Sequence, residues 1–281
     1  MLPHSPALDF LDALLDDVNK QPSDTTVAQG TIQAGKMSIV GDKGRGELRP
    51  MEQDILERIL PGFRGHQNQE SAAVLLDRPY DCLEDYEGHK PPKGMMTARL
   101  FELACSYTMD QAFHRCQSYE LWDRYARSSV RSDVSPEDAH SLHTNCRHST
   151  VSGLLEWQIY SWLRSKSSVA CVLGLRDPVD GDSAKEHRVL RGELAVLLSL
   201  LLNTQTLFPK LPDPCAVLSF TSSQARVVQG QLVNGRNGYH LDVTVSYNKP
   251  YLRGDGSVDK EVWEDMLRWS FLYLPDKVGR D

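Results

Sequence analysis

Apolar positions recur with a helical period near both ends of the chain and with a period of two in its last third. Residues 6–19 set Leu8, Phe10, Leu11, Leu14 and Leu15 on one side of an amphipathic helix. The pattern then stops. From Gln21 to Pro50 glycine and polar residues dominate, and so few large apolar side chains cannot offset the entropy of ordering the backbone. This predicts a helix over 1–20, a flexible linker or loop over 21–50, and a single globular domain over 51–281. The stretch 41-GDKGRG-46 has the glycines of a phosphate loop without the Walker spacing or its Lys-Ser/Thr ending, and reads as plain loop.

Helical spacing resumes at 51-MEQDILERIL-60, breaks at the polar 78-RPYDCLEDYEGHKPPKG-94, and returns from Met96 to Arg127. Ser135-Pro136-Glu137-Asp138 has a capping serine, a proline at the first helical position and acids in the first turn. Residues 150–164, with Leu154, Leu155, Trp157, Ile159, Tyr160, Trp162 and Leu163, predict an aromatic-rich helix. Thereafter the pattern changes: 168-SVACVLGL-175 predicts a buried strand, 183–203 a helix, and 215-CAVLSF-220 a second strand. The runs 224-QARVVQGQLV-233 and 239-YHLDVTVSY-247 are joined through Asn234-Gly235 and Asn237-Gly238, dipeptides that favour the positive dihedrals of tight hairpins. A last helix near 258–273 presents Trp263, Met266, Leu267 and Phe271. The fold class is α+β, mainly helical over the N-terminal two-thirds and ending in an α-β-β-β-α segment with an antiparallel hairpin.

Composition fits that outline: 281 residues, 40% hydrophobic and 25% charged, are ordinary for a globular chain with a sizeable core. The formal net charge of -7 argues against a generally basic nucleic-acid binder, so such a role would rest on a local patch. The N-terminus lacks the basic flank and unbroken apolar run of a signal peptide. No apolar run reaches membrane-spanning length, so no membrane partner is expected, and the expected location is cytoplasmic or nuclear. The six cysteines form no C-x-x-C pair, which predicts reduced, buried thiols and no disulfide framework.

The candidate chemistry centres on the 183–203 helix. Ser183 and Glu186 have capping-box spacing, which accounts for Glu186. Glu193 has no such account: at about 100° per residue it shares an azimuth with Val189, Val196, Leu197 and Leu200, while Arg188 and Ser199 lie nearly opposite. An inward carboxylate is costly unless paired or hydrated. In one reading an arginine from another element bridges it as a buried ion pair. In the other, Glu193 lines a cleft as acid/base or cation-binding group, with His187 and Arg191 nearby as catalytic partners.

Three further groups stand out. His140, His143, Cys146 and His148, with His114 or Cys116, have ligating side chains but the spacing of no standard zinc module, and no metal or cofactor is assigned. The strand 239–247 alternates, with Leu241, Val243, Val245 and Tyr247 on one face and His240, Asp242, Thr244 and Ser246 on the other. That polar face is either a solvated sheet surface or a substrate-binding one. Finally Arg124, Arg127, Arg131, Arg147, Arg164 and Lys166 are interleaved with Trp122, Tyr125, Trp157, Tyr160 and Trp162, residue types that can hold RNA backbone and bases. The acidic group Asp81, Glu84, Asp85 and Glu87 reads as a solvated loop.

From Glu186 onward, EHRVLRGELAVLLSLLL, CAVLSFTSSQARVVQGQLV and the closing amphipathic helix resemble a broad set of unannotated filamentous-fungal proteins. In these an H-R-x-L-x-G-E-L helix precedes a strand ending in Ser-Phe and an A-R-[IV]-[LV]-[QE] strand. The resemblance covers about the last 90 residues, with a weaker likeness at 114-HRCQSYELW-122, and carries over His187, Arg188, Gly192, Glu193, Ser219, Phe220 and Arg226. It implies a relation to fungal arginine-containing cyclodipeptide synthases, enzymes of secondary metabolism that are aminoacyl-tRNA-dependent transferases. On that footing Glu193 or the acidic loop would hold a guanidinium. Arg188, Ser219, Arg226, Asp242 and His240 would bind substrate, and Arg124, Arg127, Arg131, Arg164 and Lys166 would hold the aminoacyl-tRNA while a small-molecule product forms. The α-β-β-β-α order is also similar to a PD-(D/E)XK nuclease-like core. Its strand reads Leu241-Asp242-Val243-Thr244 with no E-x-K, which implies a degenerate nucleic-acid-binding or protein-interaction module.

Overall fold

The computed structural model describes residues 5–21, 26–27, 36–40, 48–59, 127–129, 148–151, 154–165, 170–176, 188–207, 214–221, 223–251, 253–255 and 259–270, of which 26–27, 40, 57–59, 127–176 and 203–207 are described by backbone alone. The elements in chain order are α1 (Pro6–Asn19), β1 (Thr26–Val27), β2 (Met37–Val40), α2 (Gln53–Ile59), β3 (Arg127–Ser129), β4 (His148–Val151), β5 (Leu154–Ser165), β6 (Ala170–Arg176), β7 (Val189–Leu190), α3 (Arg191–Leu207), β8 (Cys215–Phe220), β9 (Gln224–Gly235), β10 (Gly238–Pro250) and α4 (Lys260–Ser270). The fold is α+β. Outside the described residues lie 41-GDKGRG-46, the acidic loop, most of the Met96–Arg127 helix, the Ser135 cap and the Ser183/Glu186 capping box.

An eight-stranded mixed sheet runs β2-β10-β9-β8-β6-β5-β3, with β4 also on β5. The β8-β9-β10 meander is antiparallel, whereas β2 joins β10 and β6 joins β8 in parallel. The hairpin closes with Gly235 opposite Gly238, leaving Arg236 and Asn237 as a two-residue loop. Gly238 takes φ +99°, a backbone region that only a residue without Cβ enters freely. A bulge between Val245 and Tyr247 reverses the alternation. Tyr247, expected beside Leu241 and Val243, therefore turns to the opposite face, where its hydroxyl donates to Asp265 Oδ2 at 3.0 Å. Burial first, then the Asp265 carboxylate, holds that phenol well above its ordinary range, so it remains a donor.

Two corrections concern where strands begin. The 21–50 segment contributes β2 to the sheet and β1 to a two-residue ladder with β7, Thr26 opposite Leu190 and Val27 opposite Val189, so it is not a linker throughout. The pairing of Val189 and Leu190 also delays the helix expected from 183, which starts at Arg191. Residues 154–165 form a strand in place of the expected helix. Read with period two, Leu155, Trp157, Ile159 and Leu163 share one parity, while Glu156, Gln158 and Arg164 share the other with Leu154, Tyr160 and Trp162, and aromatic and β-branched residues favour the pleat.

Helix α3 is buried from Gly192 to Leu202, as an all-round apolar helix must be. The sheet lies on one side of it. On another lie Ala7, Leu11, Leu14 and Val18 of α1, so the N-terminal helix belongs to the same core rather than standing apart. Ser199, expected to face outward, is fully buried, and its hydroxyl is satisfied by the Ala195 carbonyl one turn back at 2.8 Å. The outer face of α1 is acidic. Partial desolvation, then the Asp16 and Asp9 carboxylates, hold the Asp12 carboxyl above its usual 3.8. The folded state therefore binds that proton more tightly than the unfolded chain, so this contribution to stability is present below pH 3.8 and is lost as pH rises through the folded value. Asp12→Asn should raise the urea midpoint slightly at pH 7 and leave it unchanged well below pH 3.8.

The opposite face of the sheet carries α4 and residues 48–56. Asp259 caps α4, its Oδ1 accepting the amides of Glu261 at 2.9 Å and Val262 at 3.4 Å. Asp259→Ala is expected to cost about 1 kcal/mol, read as a lower urea midpoint at unchanged m-value, with Asn at that position recovering most of the loss. Among the described residues no helix is long and apolar enough to cross a membrane.

Candidate functional site

Glu193 stands in the first turn of α3, not midway along a helix. Its Oε2 accepts the backbone amide of Leu190, just before the helix, at 3.0 Å. This is the return half of a capping box, made without a serine at the cap. The other contacts come from the sheet. Ser219, at the end of β8, donates its hydroxyl to Oε1 at 2.5 Å. Directly opposite it in register, Arg226 of β9 reaches Glu193 with both sides of its fork, Nε to Oε1 at 2.8 Å and Nη2 to Oε2 at 3.3 Å. The Arg226 Nη2 also donates to the Arg188 carbonyl at 2.7 Å.

Geometry explains why these residues meet. Ser219 and Arg226 are cross-strand partners on the face that α3 covers, and the first turn of α3 passes over them. The side chains of Arg226 and Glu193 are 0% exposed, and Ser219 is as fully enclosed. A two-point guanidinium–carboxylate contact is a strong charge-assisted arrangement, and in a dry interior it is also the condition under which either charge is tolerated. Of the two readings of Glu193, the cluster matches the buried ion pair. A carboxylate without solvent access, already accepting four hydrogen bonds from three residues, has no route to a substrate proton.

No family model matches the chain, and searches of curated proteins and of solved structures find no match either.

The remaining predicted positions scatter. His187 lies outside the described residues. Arg188 is exposed and enters the cluster through its carbonyl alone among its described contacts to it. Arg191, expected near Glu193 as a catalytic partner, turns instead to α1: its Nε donates to Val18 O at 3.2 Å and Nη2 to Asn19 O at 3.1 Å. A cation on the last carbonyls of a helix is well placed against its dipole, so Arg191 fastens α1 to α3. Arg124, Arg131, Lys166, His114, Cys116, His140, His143 and Cys146 are outside the described residues, and His148 is placed in β4 by its backbone. Arg127 and Arg164 fall on the paired strands β3 and β5, with Arg127 opposite Ser165 and Ser128 opposite Arg164.

His240 and Asp242 form a second small cluster on the open part of the sheet. Asp242 Oδ1 accepts Ser38 Oγ at 2.5 Å and lies 3.1 Å from His240 Nε2. Asp242 and Ser38 are register partners on β10 and β2. The side chains of His240 and Asp242 keep 33% and 49% of their exposure. The connectivity is not that of a hydrolytic triad, in which the imidazole lies between hydroxyl and carboxylate. Here the carboxylate is the hub, so the imidazole cannot take the serine proton. With Gln231 and Thr244, also partly exposed and paired with Asp242 and Gln229 in the ladder, the cluster makes a polar, hydrogen-bonding platform.

Sequence reasoning missed Gln229. It is buried on the face away from α3, where its carboxamide accepts the Leu48 amide at 3.0 Å and donates to the Leu48 carbonyl at 3.1 Å and to Ser246 Oγ at 2.8 Å. The available signal was a glutamine at the same strand parity as the apolar Ala225 and Val227.

Proposed function

We propose that the chain is a non-catalytic protein-interaction module of the degenerate nuclease-like kind that the α-β-β-β-α order brought into view. The observation that carries this reading is the closed Glu193–Arg226–Ser219 cluster. The charged side chains gathered where α3 meets the sheet satisfy one another and are sealed from solvent, so they act on the fold. Among the described candidate residues, the Ser38–His240–Asp242 platform stays accessible, a hydrogen-bonding surface on β2 and β10. The net charge of -7 favours a protein partner over a polyanion.

The cyclodipeptide synthase reading draws on the same pair, since Glu193 does hold a guanidinium. That guanidinium is Arg226's own, so an arginine substrate would have to displace a residue of the chain from a sealed interior. One comparison separates the readings. Cells expressing the wild type, Asp242→Arg or Glu193→Gln would be analysed by affinity mass spectrometry for bound protein and by untargeted mass spectrometry for small molecules. The module predicts a partner recovered with the wild type and lost with folded Asp242→Arg, and no new metabolite. A new arginine-containing cyclic dipeptide, or RNA co-purifying at a fixed ratio, would overturn it.

A further inference from the structure

Strand β2 is the last in its sheet, with β10 on one side and no described strand on the other. In a ladder the backbone groups of alternate residues point to opposite edges. The Leu241 amide donates to the Lys36 carbonyl at 2.9 Å, so Lys36 and Ser38 turn their backbones toward β10. Met37 and Ile39 therefore present their N–H and C=O groups at the outer edge. Such a row is a template for another extended backbone. Side chains alternate along β2 as well. Met37 and Ile39 are buried on the α3 side, whereas Lys36 and Ser38 are partly exposed on the side of the platform.

We propose that the occupant of this edge is β2 of a second copy of the chain, paired antiparallel about a two-fold axis at Met37. The strand's own residues select that partner and that register. Centring the axis on Met37 lets the two Met37 residues exchange a reciprocal pair of hydrogen bonds from backbone groups that already face outward. It also sets Lys36 of each copy opposite Ser38 of the other, a non-hydrogen-bonded position where Cα atoms approach to about 4.5 Å. The Ser38 hydroxyl, donating to Asp242 Oδ1 at 2.5 Å, draws that carboxylate toward β2. A Lys36 ammonium arriving from the other copy then meets a carboxylate that is 49% exposed and already aimed by Ser38 and His240. Within its own chain Lys36 lies one row away from Asp242, level with His240, and makes no ion pair among the described residues. The contact is isologous, Lys36 to Asp242 in both directions, so it closes at two copies and covers both edges. Each copy carries a formal charge of -7; at physiological salt repulsion beyond about 8 Å is largely screened, while the two ion pairs act at contact. The inference rests on the interaction-module reading and names the occupant of its platform.

The test uses the full chain. Sedimentation equilibrium of the wild type over a dilution series is expected to show a reversible monomer–dimer equilibrium, and the Met37 amide to exchange more slowly as protein concentration rises. Lys36→Asp and Asp242→Lys should each raise the dimer dissociation constant at least tenfold, because every dimer loses two opposite-charge contacts and gains two like-charge ones. Combining them trades the charges across the interface and should recover most of the wild-type affinity. Circular dichroism and the urea midpoint check the fold of each variant. Lys36→Asp keeps every described contact of β2, so it decides even where Asp242→Lys unfolds. A chain that stays monomeric throughout the series overturns the inference, as does a dimer indifferent to Lys36→Asp. A folded double variant that remains monomeric overturns the pairing on which the register rests. A monomer that still recovers an Asp242-dependent protein of another sequence refutes the second copy and leaves the module standing. A dimer of this charge dependence accompanied by an arginine-containing cyclic dipeptide refutes the non-catalytic module and leaves the β2 contact standing.

Discussion

Arg226→Ala is expected to destabilise the fold by about 3–5 kcal/mol, because it leaves the Glu193 carboxylate buried without a counter-charge. The alanine removes both contacts to Glu193 and the donor to the Arg188 carbonyl. Ser219 and the Leu190 amide remain, two neutral donors facing a full charge in a dry site. Glu193→Gln should cost a comparable amount from the other side, by stranding the guanidinium. The double variant Glu193→Gln with Arg226→Met carries no buried charge and should lose far less than the sum of the two, so that the cycle gives a coupling on the order of 2 kcal/mol. Urea unfolding with m-values checked for two-state behaviour measures all three. A single-variant cost below about 1 kcal/mol, the level of an exposed pair, would mean that water reaches the pair, and the acid/base reading of Glu193 would return.

The same cluster shows what the chain discloses of itself and what it withholds. That Glu193 points inward is written in the spacing of Val196, Leu197 and Leu200, because helical azimuth is a local property. Its partners are not local: Ser219 and Arg226 stand 26 and 33 positions away, and their register depends on the turn after Phe220. There the Thr221 hydroxyl accepts the Gln224 amide at 2.9 Å, and the Thr221 carbonyl is held by Tyr251. A local signal for Arg226 did exist, since it alternates with Val228 and Leu232 on the core-facing register of β9. The β8 strand, the hairpin and the final helix were legible because period, capping and turn chemistry all agree there.

Elsewhere the determining contact is long-range or the period is ambiguous. The helix start at Arg191 depends on Val189 and Leu190 pairing with residues 26 and 27, in a segment whose composition gives no hint of order. The Leu154–Ser165 strand is rich in large apolar residues at both parities, so helical and strand periods fit it almost equally well. The Leu48 clamp joins residues 181 positions apart and depends on a single glutamine. Functional inference inherits the same asymmetry. Of the residues that looked chemical in sequence, Glu193 and Arg191 are consumed by architecture, whereas His240 and Asp242 stay partly exposed.

Gly230→Val is expected to be the most damaging substitution among the described glycines. Gly230 lies on the face that α3 covers, and a Cβ there would stand 2.5 Å from Leu197 Cδ2 and 2.9 Å from its Cγ. No packed side chain tolerates such an approach, and Leu197 is itself fully buried. Overpacking of this kind costs about 1–3 kcal/mol for the smallest addition, Gly230→Ala, and more for valine, because the helix must lift from the sheet. Lifting α3 would also draw Glu193 away from Arg226, so the penalty should spread to the ion pair. Leu197→Ala alone leaves a cavity and is expected to cost about 2–5 kcal/mol. Combined with Gly230→Ala it frees the volume that the new methyl occupies, and the pair should cost less than the sum of the two. A Gly230→Ala variant as stable as the wild type would mean that the helix and sheet stand further apart than these distances. Arg226→Ala would then be mild as well, so the two sets of measurements check the same helix–sheet junction from opposite ends.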